Sequence, residues 1–393
     1  MATPEPRPPR IAIVRGAWNA AGGAERFVQR IATALAARGV ELTLVARRWP
    51  QAGQDGLPGS VRVLEVDAFH IGRAWRDAAF ARDVQRVVRE QGFDLVQSHE
   101  RIPGLDMYRA GDGVHRQWLA LRRRQRGALR GMTDALSASH RTILRKERAM
   151  FTHPALRCVI CNSEMVRDEI VRHYGVEPGK LAVIRNGLDL QRFRPPTPAE
   201  HQAARAALGL PADKTVFLFV GSGFDRKGVA VALRALARGD LRDKALLVIV
   251  GHDKHLARYQ ALAQSLGIAG AVRFDGARGD VVPSYHAADA FVLPTLYDPQ
   301  SNAMLEAMGC GLPVITSTTS GAAELLSADS GHVVDALDDA AVAAAMTDLL
   351  DRQRCRRLGA AARAAIEPYT LERMTDDYLA LYARLMPTPD QRP

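Results

Sequence analysis

The sequence has little of several features that would define its class of protein. Four cysteines in 393 residues are too few for a disulfide framework. No apolar run approaches the roughly 20 residues that a membrane-spanning helix needs, and the longest are pieces such as Ala245–Val250. The first residues, MATPEPRPPR, are rich in proline and lack an apolar core, so we expect no signal peptide. These absences predict a cytoplasmic protein.

Two of the cysteines, Cys158 and Cys161, have the spacing of a redox or zinc motif. They lie in an apolar run, Leu156–Cys161, that predicts a strand, and strand positions three apart point to opposite faces. No second Cys or Cys/His pair accompanies them. We therefore interpret both as buried thiols and expect no metal.

Acidic residues are too few to balance the basic ones. The chain has 53 Lys and Arg against 43 Asp and Glu, a net charge of +10. Apolar residues make up 47% and charged residues 24%, which is typical of a soluble globular protein. The positive charge predicts an affinity for anions without saying which. Nucleic acid, anionic membranes, nucleotide substrates and phosphorylated glycolipids all qualify.

Short apolar runs alternate with amphipathic stretches along the chain. A strand at Ile11–Val14, a glycine loop and a helix at Ala24–Arg38 open a parallel βαβ pattern. The alternation stops at a proline-rich segment, Pro195–Pro198, and restarts with a strand at Thr215–Val220. The sequence predicts an α/β protein with two Rossmann-like domains. Their expected bounds are residues 1–195 and 196–368, followed by a C-terminal helix in residues 369–393.

The stretch from residue 291 to residue 326 combines a strand, a loop and a helix with two carboxylates. Asp298 precedes the predicted helix Ala303–Met308, and Glu306 lies inside it with seven residues between the two acids. Such an arrangement suits a ligand pocket, although two acids at this spacing also arise by chance in α/β proteins. On spacing alone, chance is the better explanation.

The start of that helix predicts an anion site. Ser301 and Asn302 are good capping residues. The amides of Ala303 and Met304, in the first turn, have no partner within the helix and carry its positive dipole end. Glu306, about one turn on, would face a sugar hydroxyl beside a phosphate, since a carboxylate accepts hydrogen bonds and repels phosphate.

A second glycine-rich loop, Gly221–Gly228, places Arg226 and Lys227 side by side before a predicted helix. Arginine offers a planar fork and lysine a point charge, so the pair suits a diphosphate. The loop lacks the spacing of a P-loop. Exposed cations oppose the dipole of a helix start, which favours a binding role over a purely structural one.

The first domain offers two weaker signals. Gly22 and Gly23 precede the first helix and allow close approach of a ligand, but a plain turn would need glycine too. His99 follows the predicted strand Phe93–Ser98, and ligands of parallel sheets gather at the carboxyl ends of strands. A polar residue that merely ends a strand is an equally good interpretation.

Four motifs together resemble one family along nearly the whole chain: VGSGFDRKGV, DPQSNAMLEAMGCGLPVI, GGAERF and IRNGLDLQRF. The chain is similar to the family-four retaining glycosyltransferases of GT-B fold. IPGLDMY beside GSGFDRKGV resembles one branch in particular, the lipopolysaccharide core glucosyltransferases, which add α-glucose from UDP-glucose to an inner-core heptose. The first acid of the family motif is usually Glu, and Asp298 is one methylene shorter.

The resemblance implies two Rossmann-like domains facing an interdomain cleft that holds the donor, with the C-terminal helix packing back on the first domain. It also implies a nucleotide-sugar donor, retention at the anomeric carbon, and no metal or cofactor. Arg226 and Lys227 would hold the diphosphate with Arg192 nearby, and Glu306 would bind the ribose. Phosphate contacts would come from the start of the helix, at Asn302, Ala303 and Met304.

The same resemblance implies residues around the transferred sugar and the base. Asp298 would bind the sugar hydroxyls, and His99 matches a histidine that many relatives place beside the sugar; both are candidate catalytic residues. Gly22 and Gly23 would lie against the donor. The loop Gly276–Gly279 would border the base.

The segment from residue 116 to 148 is strongly basic. It carries ten cations, namely Arg116, Arg122, Arg123, Arg124, Arg126, Arg130, Arg141, Arg145, Lys146 and Arg148, against two acids. Trp118, Leu121, Leu129 and Met132 fall near one stripe and predict a basic amphipathic helix. A solvated helix face is the alternative. Because the resembling branch uses a lipid-anchored, phosphate-rich acceptor, we expect peripheral attachment to the inner membrane.

The function expected is transfer of a hexose from a nucleotide sugar, preferably UDP-glucose, to a lipopolysaccharide core heptose or a related cell-surface glycan. Other donors (UDP-GlcNAc, UDP-galactose or GDP-mannose) and O-antigen or exopolysaccharide acceptors remain alternatives. A nucleotide-sugar epimerase or a phosphorylase would be a second enzyme class on this fold. A basic nucleic-acid-binding protein is the non-enzymatic alternative, but the sequence lacks a recognition motif for that role, and we expect no nucleic-acid partner.

Overall fold

In the computed structural model, the chain forms two compact α/β units. The first comprises Met1–Arg185 and Leu371–Pro393, and the second Asn186–Thr370. The structure describes residues 9–18, 23–50, 53, 57–66, 73–127 and 137–386. Within these residues, no helix combines the length and the apolar character that crossing a membrane requires.

The first unit contains a seven-stranded parallel sheet in the order β3-β2-β1-β4-β5-β6-β7. Its strands are β1 Arg10–Ala17, β2 Glu41–Arg48, β3 Arg62–Glu65, β4 Leu95–Ser98, β5 Met107–Arg109, β6 Cys158–Cys161 and β7 Leu181–Val183. In β1, Ile11 and Ile13 enter one core cluster while Ala12 and Val14 enter another. A strand that is covered on both faces needs such a continuous apolar run.

Several α-helices belong to the same unit. They are α1 Gly23–Ala37, α2 Arg73–Gln91, α3 His115–Arg126, α4 Ala138–Phe151 and α5 Glu164–Tyr174. The C-terminal helix, Leu371–Leu385, belongs to this unit as well. Its residues Met374, Tyr378 and Tyr382 share a core cluster with Phe27 and Ile31 of α1, so the end of the chain completes the core of the first unit.

The second unit contains a six-stranded parallel sheet in the order β10-β9-β8-β11-β12-β13. Its strands are β8 Thr215–Val220, β9 Ala245–Val250, β10 Val272–Gly276, β11 Ala290–Leu293, β12 Val314–Ser317 and β13 Gly331–Val334. Its α-helices are α6 Pro198–Ala207, α7 Phe224–Lys227, α8 Val229–Leu236, α9 Leu241–Lys244, α10 Leu256–Ser265, α11 Val282–Ala287, α12 Asn302–Gly309, α13 Asp339–Asp348 and α14 Arg352–Ile366.

Both sheets reverse their strand order beside their first strand. In the first unit, β2 pairs with one edge of β1 and β4 with the other. In the second unit, β9 and β11 flank β8 in the same way. Loops that leave such a reversal diverge above and below the sheet, and ligands of open α/β sheets bind at the carboxyl ends of these strands. Each unit therefore has one place where a ligand site is expected.

The division between the units falls at Arg185 and Asn186, before the proline-rich segment where the sequence placed it. The reason is local packing and hydrogen bonding. Leu188 and Phe193 are buried in the core of the second unit, and the amide of Asn186 donates to Gln300 at 2.6 Å. The residues just before Pro195 thus already belong to the second unit.

The basic segment differs from the single amphipathic helix predicted. Helix α3 ends at Arg126, where Gly127 has a φ of +81°, and α4 begins a separate helix at Ala138. The half-buried Trp118 and Leu121 lie on α3, whereas Leu129 and Met132 lie outside the described residues. A glycine in the left-handed region ends a helix readily, and that position breaks the predicted stripe.

Candidate functional site

At the strand reversal of the second unit, the glycine-rich loop with Arg226 and Lys227 meets the loop that carries Asp298. Lys227 ends α7, just after β8, and Asp298 lies in the loop after β11. The Nζ atom of Lys227 donates to Oδ2 of Asp298. Nη1 of Arg226 lies 4.0 Å from the same oxygen. Two cations and one carboxylate therefore form a charged cluster at the carboxyl edge of the sheet.

This cluster is more buried than the sequence implied. The side chains of Lys227 and Asp298 are 12% and 7% exposed, and that of Arg226 is 39% exposed. Burial lowers the pKa of Lys227, and the charge of Asp298 opposes that shift. The expectation of two exposed cations was wrong for Lys227, because the loop folds its side chain onto the acid.

The cluster is fixed by the backbone around it. The carbonyl of Arg226 accepts from the amide of Leu296 at 2.8 Å and from Oγ1 of Thr295 at 3.1 Å. Gly228, with a φ of +84°, lies so close to Pro294 that a Cβ atom would be 2.0 Å from its carbonyl oxygen. The glycine after Lys227 is therefore needed so that the two loops can touch.

Asp298 is also held through its main chain. Its amide donates to the carbonyl of Thr319 at 3.1 Å, and its carbonyl accepts from Gly321 at 2.8 Å. The backbone of Asp298 is therefore fixed beside the two cations.

Glu306 lies one turn into α12, and Oε2 accepts from the hydroxyl of Tyr285 at 2.9 Å. That hydroxyl also lies 3.1 Å from the carbonyl of Ala303. Burial and the charge of Glu306 raise the pKa of Tyr285 well above its usual value, so Tyr285 stays a hydrogen-bond donor. The sequence motifs did not identify Tyr285.

The amides at the start of α12 are only partly available. Oγ of Ser301 caps the helix, as expected for a capping residue, by accepting from the amide of Met304 at 3.4 Å, so that amide already has a side-chain partner. The amide of Ala303 has no partner among the described residues. Oδ1 of Asn302 accepts from Nδ2 of Asn186 at 2.8 Å, so the Asn302 side chain ties the loop to the start of the unit.

Arg192 and the loop Gly276–Gly279, which were also predicted to contact the nucleotide sugar, lie on the same unit. Arg192 is exposed and donates from Nη2 to Asp280 at 3.1 Å. Its guanidinium is therefore paired with a carboxylate in this structure. The loop Gly276–Gly279 follows β10, and its Arg278 donates to Asp275 at 2.7 Å.

The remaining predicted residues belong to the first unit. Gly22 lies outside the described residues, and Gly23 is the first residue of α1, with open space where a Cβ atom would stand. His99 follows β4 at the strand reversal and is 5% exposed. Its amide donates to the carbonyl of Val14 in β1 at 2.9 Å.

The surroundings of His99 keep its ring neutral. Burial lowers the pKa of His99 well below its usual value, and the cations Arg109 and Arg15 lower it further. Nε2 of the ring lies 3.0 Å from Nε2 of Gln97, a residue that sequence reasoning missed. A glutamine directly after the apolar residues Leu95 and Val96 in a short strand was the signal that could have identified it.

Two family models match the chain in succession. The model for Glycosyltransferase Family 4 matches residues 21–192, and the model for Glycosyl transferases group 1 matches residues 200–365. The D-inositol 3-phosphate glycosyltransferase of Streptomyces coelicolor is 30% identical to this chain over an alignment 394 residues long. The alignment covers 88% of this chain and 83% of that protein. The chain belongs to the GT-B glycosyltransferases of group 1, which confirms the family, the fold and the class of enzyme that the motifs predicted.

Within this family, the chain is similar to the lipopolysaccharide glucosyltransferase WaaG of Escherichia coli (strain K12). The two are 29% identical over 318 residues, covering 80% of this chain and 82% of WaaG. A crystal structure of WaaG, a glycosyltransferase involved in lipopolysaccharide biosynthesis, superposes with a TM-score of 0.81 at 26% identity, covering 94% of this chain and 99% of WaaG. The Anabaena protein HepE in complex with UDP-glucose shares the fold, with a TM-score of 0.74 at 19% identity and coverage of 95% and 99%.

Proposed function

We propose that this glycosyltransferase moves a hexose from a UDP-sugar, UDP-glucose above all, to a lipopolysaccharide core heptose or a related glycan. The observation that carries the proposal is the charged cluster at the strand reversal, in which the nearly buried Lys227 and Asp298 are joined by the more exposed Arg226. It offers positive charge for a diphosphate beside one carboxylate for sugar hydroxyls. The relatives support the donor, since HepE binds UDP-glucose and WaaG is a glucosyltransferase.

The chemistry follows from where charge develops. A nucleotide diphosphate leaves as an anion, so Lys227, Arg226 and the amide of Ala303 stabilise the transition state as the bond breaks. Asp298 holds the sugar hydroxyls and balances the positive charge that grows on the ring. Glu306, oriented by Tyr285, binds the ribose hydroxyls as an acceptor.

Retention is proposed to arise by front-face transfer, in which the leaving phosphate takes the proton of the acceptor hydroxyl. The cations at the diphosphate take the role that a divalent metal has in other transferases. The reaction therefore needs neither a metal nor a cofactor.

The decisive experiment measures UDP or GDP release from four donors: UDP-glucose, UDP-GlcNAc, UDP-galactose and GDP-mannose. Each is mixed with a heptose-containing lipopolysaccharide core acceptor, and NMR of the product gives the anomeric configuration. We expect turnover with UDP-glucose and an α-linked product. Turnover with another donor alone, or a β-linked product, would contradict the proposal.

A second acceptor class has its own support, because several relatives at about 30% identity are D-inositol 3-phosphate glycosyltransferases. A phosphorylated polyol shares anionic groups with a phosphorylated lipid core. The same release assay with D-inositol 3-phosphate as acceptor separates the two. Turnover with inositol phosphate and none with the core acceptor would assign the second function.

We further propose that the enzyme is a cytoplasmic, peripheral membrane protein that attaches through α3 and α4. Arg123, Arg124 and Arg126 are exposed on α3, and Arg141 and Arg145 are exposed on α4. Each cation near an anionic surface contributes about 1 kcal/mol, and the attraction weakens with salt. Sedimentation with anionic liposomes at low and high salt measures this attachment.

Two variants that lose the same number of positive charges test whether attachment depends on α3 or only on the net charge of the protein. Replacing Arg123, Arg124 and Arg126 with Gln should strongly reduce sedimentation, because, of the proposed attachment residues, only Arg141 and Arg145 of α4 then remain, while leaving UDP binding unchanged. The control removes three exposed arginines from α2, in the same unit, namely Arg82, Arg86 and Arg89. Equal loss of sedimentation in both variants would mean that the net charge, and not a particular surface, causes the attachment. Unchanged sedimentation of the α3 variant would mean that α3 is not the attachment site.

A further inference from the structure

A chain of two buried side chains holds the ring of His99. Tyr382, on the C-terminal helix, donates from its hydroxyl to Oε1 of Gln97 at 2.9 Å. Nε2 of Gln97 in turn lies 3.0 Å from Nε2 of His99. Gln97 is 0% exposed and Tyr382 is 2% exposed. Water therefore does not compete for these contacts.

The hydroxyl of Tyr382 decides which way the amide of Gln97 faces. Within the described residues, Oε1 of Gln97 is the one hydrogen-bond partner of that hydroxyl. A buried hydroxyl proton without an acceptor is costly, so Tyr382 donates and Oε1 accepts. The NH2 group of Gln97 then faces His99.

The direction of this contact fixes the proton on the imidazole. An amide NH2 group can only donate, so Nε2 of His99 must accept. A neutral imidazole that accepts at one nitrogen carries its proton on the other. The low pKa of His99 keeps the ring neutral, and its proton is therefore on Nδ1.

We propose that Tyr382 is a positioning residue that, through Gln97, locks His99 as the Nδ1–H tautomer, so that the ring offers a hydrogen-bond donor to a hydroxyl of the transferred hexose. Nδ1 has no hydrogen-bond partner among the described residues, which leaves this donor for a ligand. The contact with the hexose rests on the proposed function. The tautomer is a property of the empty protein and does not.

A second tyrosine on the same helix provides a matched control. Tyr378 is 0% exposed, and its hydroxyl accepts from Nε of Arg109 at 3.2 Å. The guanidinium of Arg109 lies 3.5 Å from the centre of the Phe27 ring, and that ring lies 6.0 Å from the ring of His99. Tyr378 thus shares the helix, the burial and the neighbourhood of Tyr382, but among the described residues its hydroxyl bonds to Arg109 and not to Gln97.

The test is NMR of the substrate-free protein with ¹⁵N-labelled histidine. Long-range ¹H–¹⁵N correlations distinguish the two tautomers, and the signals of His99, one of 11 histidines, are assigned by their loss in His99→Ala. We expect a protonated Nδ1 and an unprotonated Nε2 in the wild type. Tyr382→Phe should let the amide of Gln97 rotate and populate the Nε2–H form, whereas Tyr378→Phe should leave the tautomer unchanged.

A wild-type ring protonated on Nε2, or a tautomer unchanged in Tyr382→Phe, would overturn the lock. Gln97→Glu supplies an independent variant, also decisive if Tyr382→Phe does not fold. A carboxylate only accepts, so this change should bring a proton to Nε2 of His99. An unprotonated Nε2 in Gln97→Glu would equally overturn the lock.

Kinetics separate the lock from the proposed function. Tyr382→Phe should lower kcat up to about tenfold, the effect of weakening one hydrogen bond, with the donor KM nearly unchanged. An altered tautomer with unchanged kcat would overturn the contact between His99 and the hexose. The absence of turnover in the wild type would refute the proposed function and leave the tautomer measurement valid.

Discussion

The ion pair between Lys227 and Asp298 should be strongly coupled in the empty enzyme. Both side chains are nearly buried, and Arg226 approaches the same carboxylate at 4.0 Å. Removing one member of a buried pair leaves an uncompensated charge, which costs about 3–5 kcal/mol. Removing the charges of both Lys227 and Asp298 leaves neither of them unpaired. The losses in unfolding free energy of the two substitutions should therefore not add.

The two single variants should differ, because Arg226 remains in both. In Lys227→Met, Asp298 keeps Arg226 as a partial partner, and we expect a loss of about 1–3 kcal/mol in unfolding free energy, below the full cost of an unpaired charge. In Asp298→Asn, two cations remain beside each other without a carboxylate, so the loss should reach about 3–5 kcal/mol. For a unit of this size, about 2–4 °C per kcal/mol converts the larger loss into a fall of roughly 10 °C in Tm.

Calorimetry without nucleotide measures these shifts, and the transition of the second unit must be followed, because the two units can unfold separately. The double variant should be more stable than the sum of the single losses implies, by about 2 kcal/mol, the size of coupling found for residues in contact. Lys244→Met serves as a control, because Lys244 and Asp240 form a pair that is more than half exposed. Exposed pairs contribute at most about 1 kcal/mol.

Single losses that add to the double loss within about 0.5 kcal/mol would refute the coupling. A loss in Lys244→Met as large as that in Lys227→Met would refute the argument from burial. A second readout connects the pair to function. Lys227→Met should also lower kcat/KM by about a hundredfold, because in the proposed mechanism Lys227 stabilises the leaving diphosphate.

Three further predictions address binding, pH and metals. Glu306→Gln should weaken UDP binding by about tenfold or more in calorimetric titration, because a charged acceptor becomes neutral, whereas Asp298→Asn should leave it nearly unchanged; equal losses would reject separate roles. Burial lowers the pKa of His115 to about 4 from 6.5 in the unfolded chain, so the unfolded state binds more protons in this window and Tm should fall as pH falls from 6.5 towards 4. His115→Gln should flatten that decline, and an unchanged slope would rule out this histidine as its source. Turnover should survive EDTA, and loss of activity restored by manganese or magnesium would contradict metal independence.

Much of the fold could be predicted because its strands are short apolar runs bounded by polar turns. Strand β8 falls on the residues expected, and the C-terminal helix lies within the expected residues 369–393. Strand β5, three residues long, and β13, with half-exposed and exposed positions, could not be predicted. Their sequences carry too little apolar periodicity, and sheet pairing with a neighbour makes them strands.

The candidate site also contains residues that local motifs suggested and residues that only the tertiary structure brings in. Asp298, Glu306, Arg226 and Lys227 became candidates because they lie in short motifs that resemble the family, although on spacing alone the two acids could have arisen by chance. Tyr285 did not become a candidate, because it reaches Glu306 from 21 residues away along the chain. The same holds for Tyr382, which lies 285 residues from Gln97.

The sequence by itself determined the class of fold, the two-domain plan and the charged residues of the candidate site, because each depends on residue type and short-range spacing. The tertiary structure alone decided which charges meet and which polar atoms are already engaged. Lys227 and Asp298 lie 71 residues apart, and they meet because β8 and β11 are neighbours in the sheet. The amide of Met304 is taken by Ser301, and the C-terminal helix reaches Gln97 by returning to the first unit. Contacts of this kind depend on strand order and packing across the core, which no local pattern of residues encodes.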